Sequence, residues 1–210
     1  MENLLVYTTP QNYISYMVSH PEKWVDYLRK CAFSKSSFEQ QTPWISLEAI
    51  ESLQETIKPG MSVLEFGGGG STLFFANEGL NVTTIESDAD WKDNIEKQIR
   101  AKGLNNVEIL FREFEVQAES SFRNSAYMLA LPGHSYDVIL IDGPEIAGYK
   151  ARPICFEWAE KNINENGIIV VDDAWRYGHL LSQNNAKSVK EFVSIGPGRK
   201  GITKTDIYYY

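Results

Sequence analysis

Five carboxylates stand at or beside the ends of four short apolar runs. Glu65 lies in the run 62–66, Glu86 closes 81–86, Asp142 follows 136–141, and Asp172 and Asp173 follow 168–171. Carboxylates in such places can accept a proton, neutralise a ligand's ammonium, take both hydroxyls of a vicinal diol, or bind a hard cation. The runs are apolar or, at 81–86, β-branched, as buried strands of a parallel sheet are. In open sheets of that kind ligands bind beyond the carboxyl ends of the strands. The acids therefore point to one end of one sheet.

After the first run come Gly67, Gly68, Gly69 and Gly70, then Ser71-Thr72 and the apolar stretch Leu73-Phe74-Phe75-Ala76. That is a strand, a tight turn and a helix start. The glycines let the backbone turn sharply and let a ligand lie against it, and the helix start offers free N–H groups. The dinucleotide signature G-x-G-x-x-G fails in either register, because Thr72 or Leu73 stands where the third glycine belongs. What stands there is acidic-x-Gly-x-Gly-x, with Glu65, Gly67 and Gly69.

This stretch resembles the first motif of class I S-adenosylmethionine (SAM) methyltransferases. The resemblance implies SAM as cofactor, its methionyl part cradled by Gly67, Gly68, Gly69 and Ser71, with Glu65 orienting the ammonium end. Glu86 follows Glu65 by 21 residues, the spacing at which an acidic group takes a ribose diol, and Ser87 sits beside it. In the resembled family the adenine ring is held just after the third strand, here Arg112, Glu113 and Phe114. The usual Gly-Asp pair is missing there.

Strands four and five are neighbours in this fold, about 4.8 Å apart, so Asp142, Asp172 and Asp173 converge. Without a counter-charge they repel and one retains a proton. A divalent cation relieves that repulsion. One Asp with an Asp-Asp pair some 30 residues on resembles the magnesium triad of small-molecule O-methyltransferases (Asp142, Asp172 and Asp173 as ligands), in which two adjacent acceptor oxygens chelate the ion. The other reading stays open: Asp172 and Asp173 cap the segment from Ala174, and Asp142 meets cofactor or water without a metal. Asp142-Gly143 is followed by Pro144-Glu145, where the family often has Gly-Asp-His. Asp142 and Asp173 are thus candidate catalytic groups, and Glu145, Lys150 and His179 compete as the base.

These residues need a frame. Besides the four runs, 107–111 reads as a strand, and 188–195 with 202–210 reads as a hairpin around the loop 196–201. Helical spacing appears at Ile45, Ala49, Ile50, Leu53 and Ile57, at Trp91, Ile95 and Ile99, over 118–131, and at Ile154, Phe156 and Ile163. Asp88 suits the N-cap of the second of these, whose Trp91 reads as a packing residue. The resulting expectation is an α/β, Rossmann-like class I methyltransferase fold. It has a seven-stranded, mostly parallel sheet, an antiparallel C-terminal hairpin strand, and an N-terminal helical cap over residues 1–58 preceding the SAM-binding domain 59–210. Trp44 is the cap residue expected to approach the ligand.

The chain has 210 residues, a formal net charge of −8 and two cysteines, Cys31 and Cys155, outside any metal-ligand spacing. The acidity argues against a nucleic-acid partner, and the cysteines suit a reduced, cytoplasmic setting. No apolar run is long enough for a membrane span, and the start lacks a signal peptide's basic region. The expected activity is methyl transfer from SAM to a small hydroxylated acceptor, by O-methylation and with magnesium as the candidate second cofactor. A homodimer is compatible with this. Two alternatives stand: an aminopropyltransferase of the spermidine-synthase type, and a non-catalytic SAM-binding or scaffold module.

Overall fold

The computed structural model describes residues 10–32, 36–114, 118–131, 133–146 and 148–210. Seven strands form one sheet: β1 (Ser62–Phe66), β2 (Asn81–Glu86), β3 (Val107–Phe111), β4 (Tyr136–Ile141), β5 (Ile163–Val171), β6 (Ser188–Gly196) and β7 (Arg199–Tyr209). Their order is β3-β2-β1-β4-β5-β7-β6. The first five are parallel, and β7 runs antiparallel to both β5 and β6. The order reverses between β1 and β4, which makes that gap the switch point where such sheets take ligands. This is the expected class I methyltransferase sheet.

The main helices are α1 (Pro10–Ser19), α2 (Ser37–Gln40), α3 (Leu47–Thr56), α4 (Gly70–Asn77), α5 (Ala89–Lys102), α6 (Glu119–Arg123), α7 (Ala126–Leu129) and α8 (Ala151–Ala159), and short helical turns lie between α1 and α2 and after β5. They cover both faces of the sheet. On one side Ile45, Leu53 and Phe75 pack against Val63, Val138, Val170 and Ile207. On the other, Phe122, Tyr127, Phe156 and Tyr177 pack against Leu64, Ile139, Ile169 and Tyr208. Alternate residues of one strand thus enter opposite cores, so the strands carry no polar face. Among the described residues no helix is long and apolar enough to cross a membrane.

Caps set the elements that reach the switch point. The Asp88 carboxylate accepts from Trp91 N–H at 2.8 Å and starts α5, and Gly103 ends it at φ 66°. Ser46 Oγ accepts from Ala49 N–H to start α3, and its own N–H donates to Thr205 Oγ1 at 3.0 Å, docking α3 on β7. The Gly69 N–H donates to Thr72 Oγ1 at 2.9 Å, closing the first turn of α4.

Three expectations change. The helical stretch 118–131 is two short helices, because Ser125 leaves α6 and caps α7, its Oγ accepting from Met128 N–H. The helical spacing that reached Ile163 ends at Ala159, and the run 168–171 is the end of a longer strand that begins at Ile163: Asn166 takes φ 66°, and the pairing shifts register between Tyr136 and Val138. The hairpin loop shrinks to Pro197-Gly198, with Gly196 and Arg199 already paired.

Candidate functional site

The glycine turn is held from three sides. Gly67 has φ 87°, and a Cβ there would lie 2.7 Å from Gly143 Cα, so the exits of β1 and β4 cross with no room for a side chain. Gly68 N–H donates to Glu86 Oε2 at 3.1 Å, and Trp91 Nε1 donates to the Gly68 carbonyl at 2.6 Å. At Gly70 a Cβ would collide with the carbonyls of Ser37 and Thr42. The segment beginning at α2 is therefore pressed onto the start of α4.

Glu65 lies beneath this turn, fully buried, and neither carboxyl oxygen makes a well-formed hydrogen bond, although the Ser71 and Thr72 hydroxyls lie near it. Burial pushes its carboxyl up to about 8. The Ser71 and Thr72 hydroxyls oppose the rise, while Asp142 and Glu86 add to it. Glu86 is buried at the end of β2. Its Oε1 accepts from the N–H groups of Ser87 (2.6 Å) and Asp88 (2.9 Å), so the carboxylate also orders the start of α5.

A cavity of about 440 Å³ opens at the switch point. Gly67 and Gly68 line it from the turn, Glu86, Ser87 and Asp88 from the exit of β2, Trp91 from α5, and Asp142, Gly143 and Pro144 from the exit of β4. Gly67, Gly68, Glu86, Ser87 and Asp142 were expected here and are brought together. A Cβ at Gly69 would meet the Trp91 ring edge at 3.4 Å, and Ser71 is buried beside Glu65. Glu113 is exposed beyond β3 and lines no part of the cavity, while Phe114 packs on Phe122 and Tyr127. Trp44 is also elsewhere, against Gly198 in the hairpin turn. A larger cavity, about 570 Å³, lies at the other end of α4 among Arg29, Gln40, Gln54, Phe74 and Asn77.

Where β4 and β5 end, the three aspartates do gather, and each has a partner. Asp142 Oδ1 pairs with Arg152 Nη2 at 3.1 Å. Asp172 Oδ1 accepts from Thr205 Oγ1 at 2.9 Å. Asp173 Oδ1 accepts from Trp175 Nε1 at 3.2 Å, and Oδ2 pairs with Arg176 at 3.1 Å. Arg152, only 8% exposed, also donates through Nε to the Gly143 carbonyl (3.1 Å) and through Nη1 to the Asp172 carbonyl (2.9 Å). Burial raises the Asp142 carboxyl to about 6; Arg152 opposes this and Asp173 adds to it. Burial, Asp142 and Asp173 push Asp172 well above the carboxylate range.

The magnesium site expected at Asp142, Asp172 and Asp173 is not seen. Among the described residues no group of acidic, His or Cys side chains could hold a metal ion. The counter-charge that repulsion demanded is present as two guanidinium groups, so the donor set does not fit magnesium. The proposed bases are also engaged or distant. Glu145 Oε1 accepts from Ile146 and Ala151 N–H, and Oε2 accepts from the Tyr177 hydroxyl at 2.5 Å, which makes it a tie to the start of α8. His179 and Lys150 are exposed and line no part of the cavity.

Sequence reasoning passed over two residues. Trp91 counted as packing, yet it roofs the glycine turn, tilted against Phe38 at 4.9 Å and still 37% exposed. Arg152 had a readable signal: a cation in the first turn of an apolar helix opposes the helix dipole and needs a local anion.

No family model matches this sequence, and no curated protein sequence matches it. Solved structures do share the fold. The O-methyltransferase TomG from Streptomyces achromogenes, involved in tomaymycin synthesis and solved with SAM, is 18% identical. That match covers 90% of this chain and 97% of TomG, with a TM-score of 0.59. A Pyrococcus furiosus methyltransferase is 16% identical over 78% of this chain and 81% of its own, with a TM-score of 0.56. The Thermus thermophilus 16S rRNA N2 G1207 methyltransferase RsmC, solved with AdoMet and guanosine, is 15% identical over 85% of this chain and 44% of its own, with a TM-score of 0.57. At these identities the likeness is one of fold.

Proposed function

We propose that this chain is a SAM-dependent methyltransferase of small hydroxylated acceptors, an O-methyltransferase in which residues 1–58 cap the domain 59–210. One observation carries the reading: on a sheet of this fold, the switch-point turn stands over a fully buried carboxyl, Glu65, with the Ser71 and Thr72 hydroxyls near it but neither oxygen in a well-formed hydrogen bond. A buried acid left so is costly unless a ligand completes it, and the ammonium of an amino-acid ligand is the fitting group. Glu86 lines the cavity with Oε1 filled by two N–H groups and one acceptor position left on Oε2 for a ribose hydroxyl. Among the described residues Trp91 is the one aromatic side chain lining that cavity, and it offers a face for a purine.

SAM, when bound, supplies an electrophilic methyl group, and what remains for the protein is mainly positioning. Asp142 faces the cavity with its side chain 30% exposed and is ionised above about pH 6. It is the group placed to accept an acceptor hydroxyl's proton. A small acceptor is favoured over RNA because the chain carries a net −8, whereas phosphate binding needs clustered cations.

Calorimetry with S-adenosylhomocysteine tests the reading. Micromolar binding is expected, and Glu86→Gln should weaken it about tenfold or more, the worth of a charge-assisted hydrogen bond. No heat at millimolar ligand overturns the proposal. The Trp91 assignment has its own readout: ligand binding should change tryptophan fluorescence, and Trp91→Phe should remove most of that change while lowering affinity. An unaltered change in the variant would exclude Trp91 from the purine site.

A further inference from the structure

We infer that Arg152 is the resident cation of the acceptor end, and that this end receives its acceptor through one nucleophilic atom rather than through a metal-chelated oxygen pair. The inference rests on the reading of this end as the acceptor site. A magnesium ion prefers about six oxygen ligands and binds through carboxylates free to turn toward it. Here Asp142 is turned to Arg152, Asp172 to Thr205, and Asp173 to Trp175 and Arg176.

Arg152 cannot easily yield the place. Its guanidinium is permanently charged and planar, and its three nitrogens reach three separate oxygens: the Gly143 carbonyl, the Asp172 carbonyl and Asp142 Oδ1. Swinging it out would orphan two buried carbonyls, and a divalent ion beside it would meet strong repulsion. The same three bonds tie the exits of β4 and β5 together, so the cation also positions Asp142 at the cavity. A chelating acceptor needs two adjacent oxygens and vacant metal positions. Without a metal, one hydroxyl facing Asp142 suffices, and the acceptor need not be a vicinal diol.

The test uses the full chain saturated with S-adenosylhomocysteine, with Mn2+ followed by paramagnetic resonance and thermal midpoints measured with Mg2+ or with a chelator. The wild type should bind no Mn2+ and show the same midpoint in both conditions. Arg152→Met should have a lowered midpoint that Mg2+ partly restores, since a ligand binding only the folded state stabilises it. Adding Asp172→Asn should abolish that rescue. One Mn2+ bound by the wild type and lost in Asp172→Asn would overturn the inference, as would an Arg152→Met variant indifferent to Mg2+. Should Arg152→Met fail to fold, Arg152→Lys keeps the charge. Its blindness to metal upholds the inference, and metal binding by it overturns it. Failure of the cofactor reading shows separately, as absence of S-adenosylhomocysteine binding.

Discussion

Glu65→Gln is expected to make the protein more stable and to cost it its cofactor. The Glu65 carboxyl keeps its proton up to about 8 in the folded chain, against an ordinary value of 4.5. Between those limits the folded chain holds a proton that the unfolded chain lacks, so stability falls as pH rises from about 4.5 to about 8 and then levels. The penalty at the upper end is about 5 kcal/mol at most. Glutamine has nearly the same shape and no charge to bury. The variant's midpoint should therefore exceed the wild type's by several degrees at pH 8, with the gain vanishing toward pH 4.5. Ligand binding should move the other way. An ammonium beside Glu65 ionises it, so the wild type should release a proton on binding S-adenosylhomocysteine and bind tighter as pH rises from 6 toward 8. In Glu65→Gln, affinity should drop at least tenfold and proton release should disappear, as calorimetry in buffers of different ionisation heat would show. A destabilised variant with unchanged affinity would remove Glu65 from the site.

That a residue should oppose stability and serve binding explains why it could be found from sequence. An acid inside an apolar strand is a local contradiction, and such contradictions mark sites. The same logic made Glu86 and the aspartates after β4 and β5 legible, because strand ends in a parallel sheet share one rim whatever the loops do. The strands were legible because Val63, Leu64, Ile139 and Leu140 face two cores and tolerate no polar alternation. The partners of the acids were not. Arg152 enters from α8, a helix read only through its apolar positions, and its three acceptors lie 9 to 20 residues away along the chain. Trp91 has a helical spacing that fits core packing as well as a cavity wall, and only its bond to the Gly68 carbonyl separates the two. The segment after β5 was open to a capping role, but Asp173 takes φ 52° and caps nothing with its side chain. Asp tolerates left-handed backbone better than most residues, but its type alone does not tell such a turn from a cap.

The second large effect is expected at Arg152. Arg152→Met removes the donor to two carbonyls and leaves Asp142 charged beside Asp172 and Asp173. Breaking a buried pair from one side costs about 3–5 kcal/mol, which for a domain of this size lowers the midpoint by about 10 °C. Asp142→Asn alone should cost less, because the guanidinium keeps both carbonyls and the field of the remaining aspartates. The double variant should then be more stable than Arg152→Met, since the stranded charge is gone, and the cycle should show coupling well beyond the scatter of independent sites. The loss should also depend on pH. Arg152 holds the Asp142 carboxyl down against burial, at about 6. Without the guanidinium that carboxyl titrates higher, so the window in which stability falls with rising pH extends upward. The deficit of Arg152→Met should be largest near pH 8 and should shrink toward pH 4, where Asp142 is protonated with or without its partner. What persists at low pH is the share due to the Gly143 and Asp172 carbonyls. Denaturant titrations of the four proteins at pH 4, 6 and 8 separate the two shares. An additive cycle with a pH-independent deficit would mean that Arg152 acts only as a strap between β4 and β5, and not as the charge that lets three aspartates share one end of the sheet.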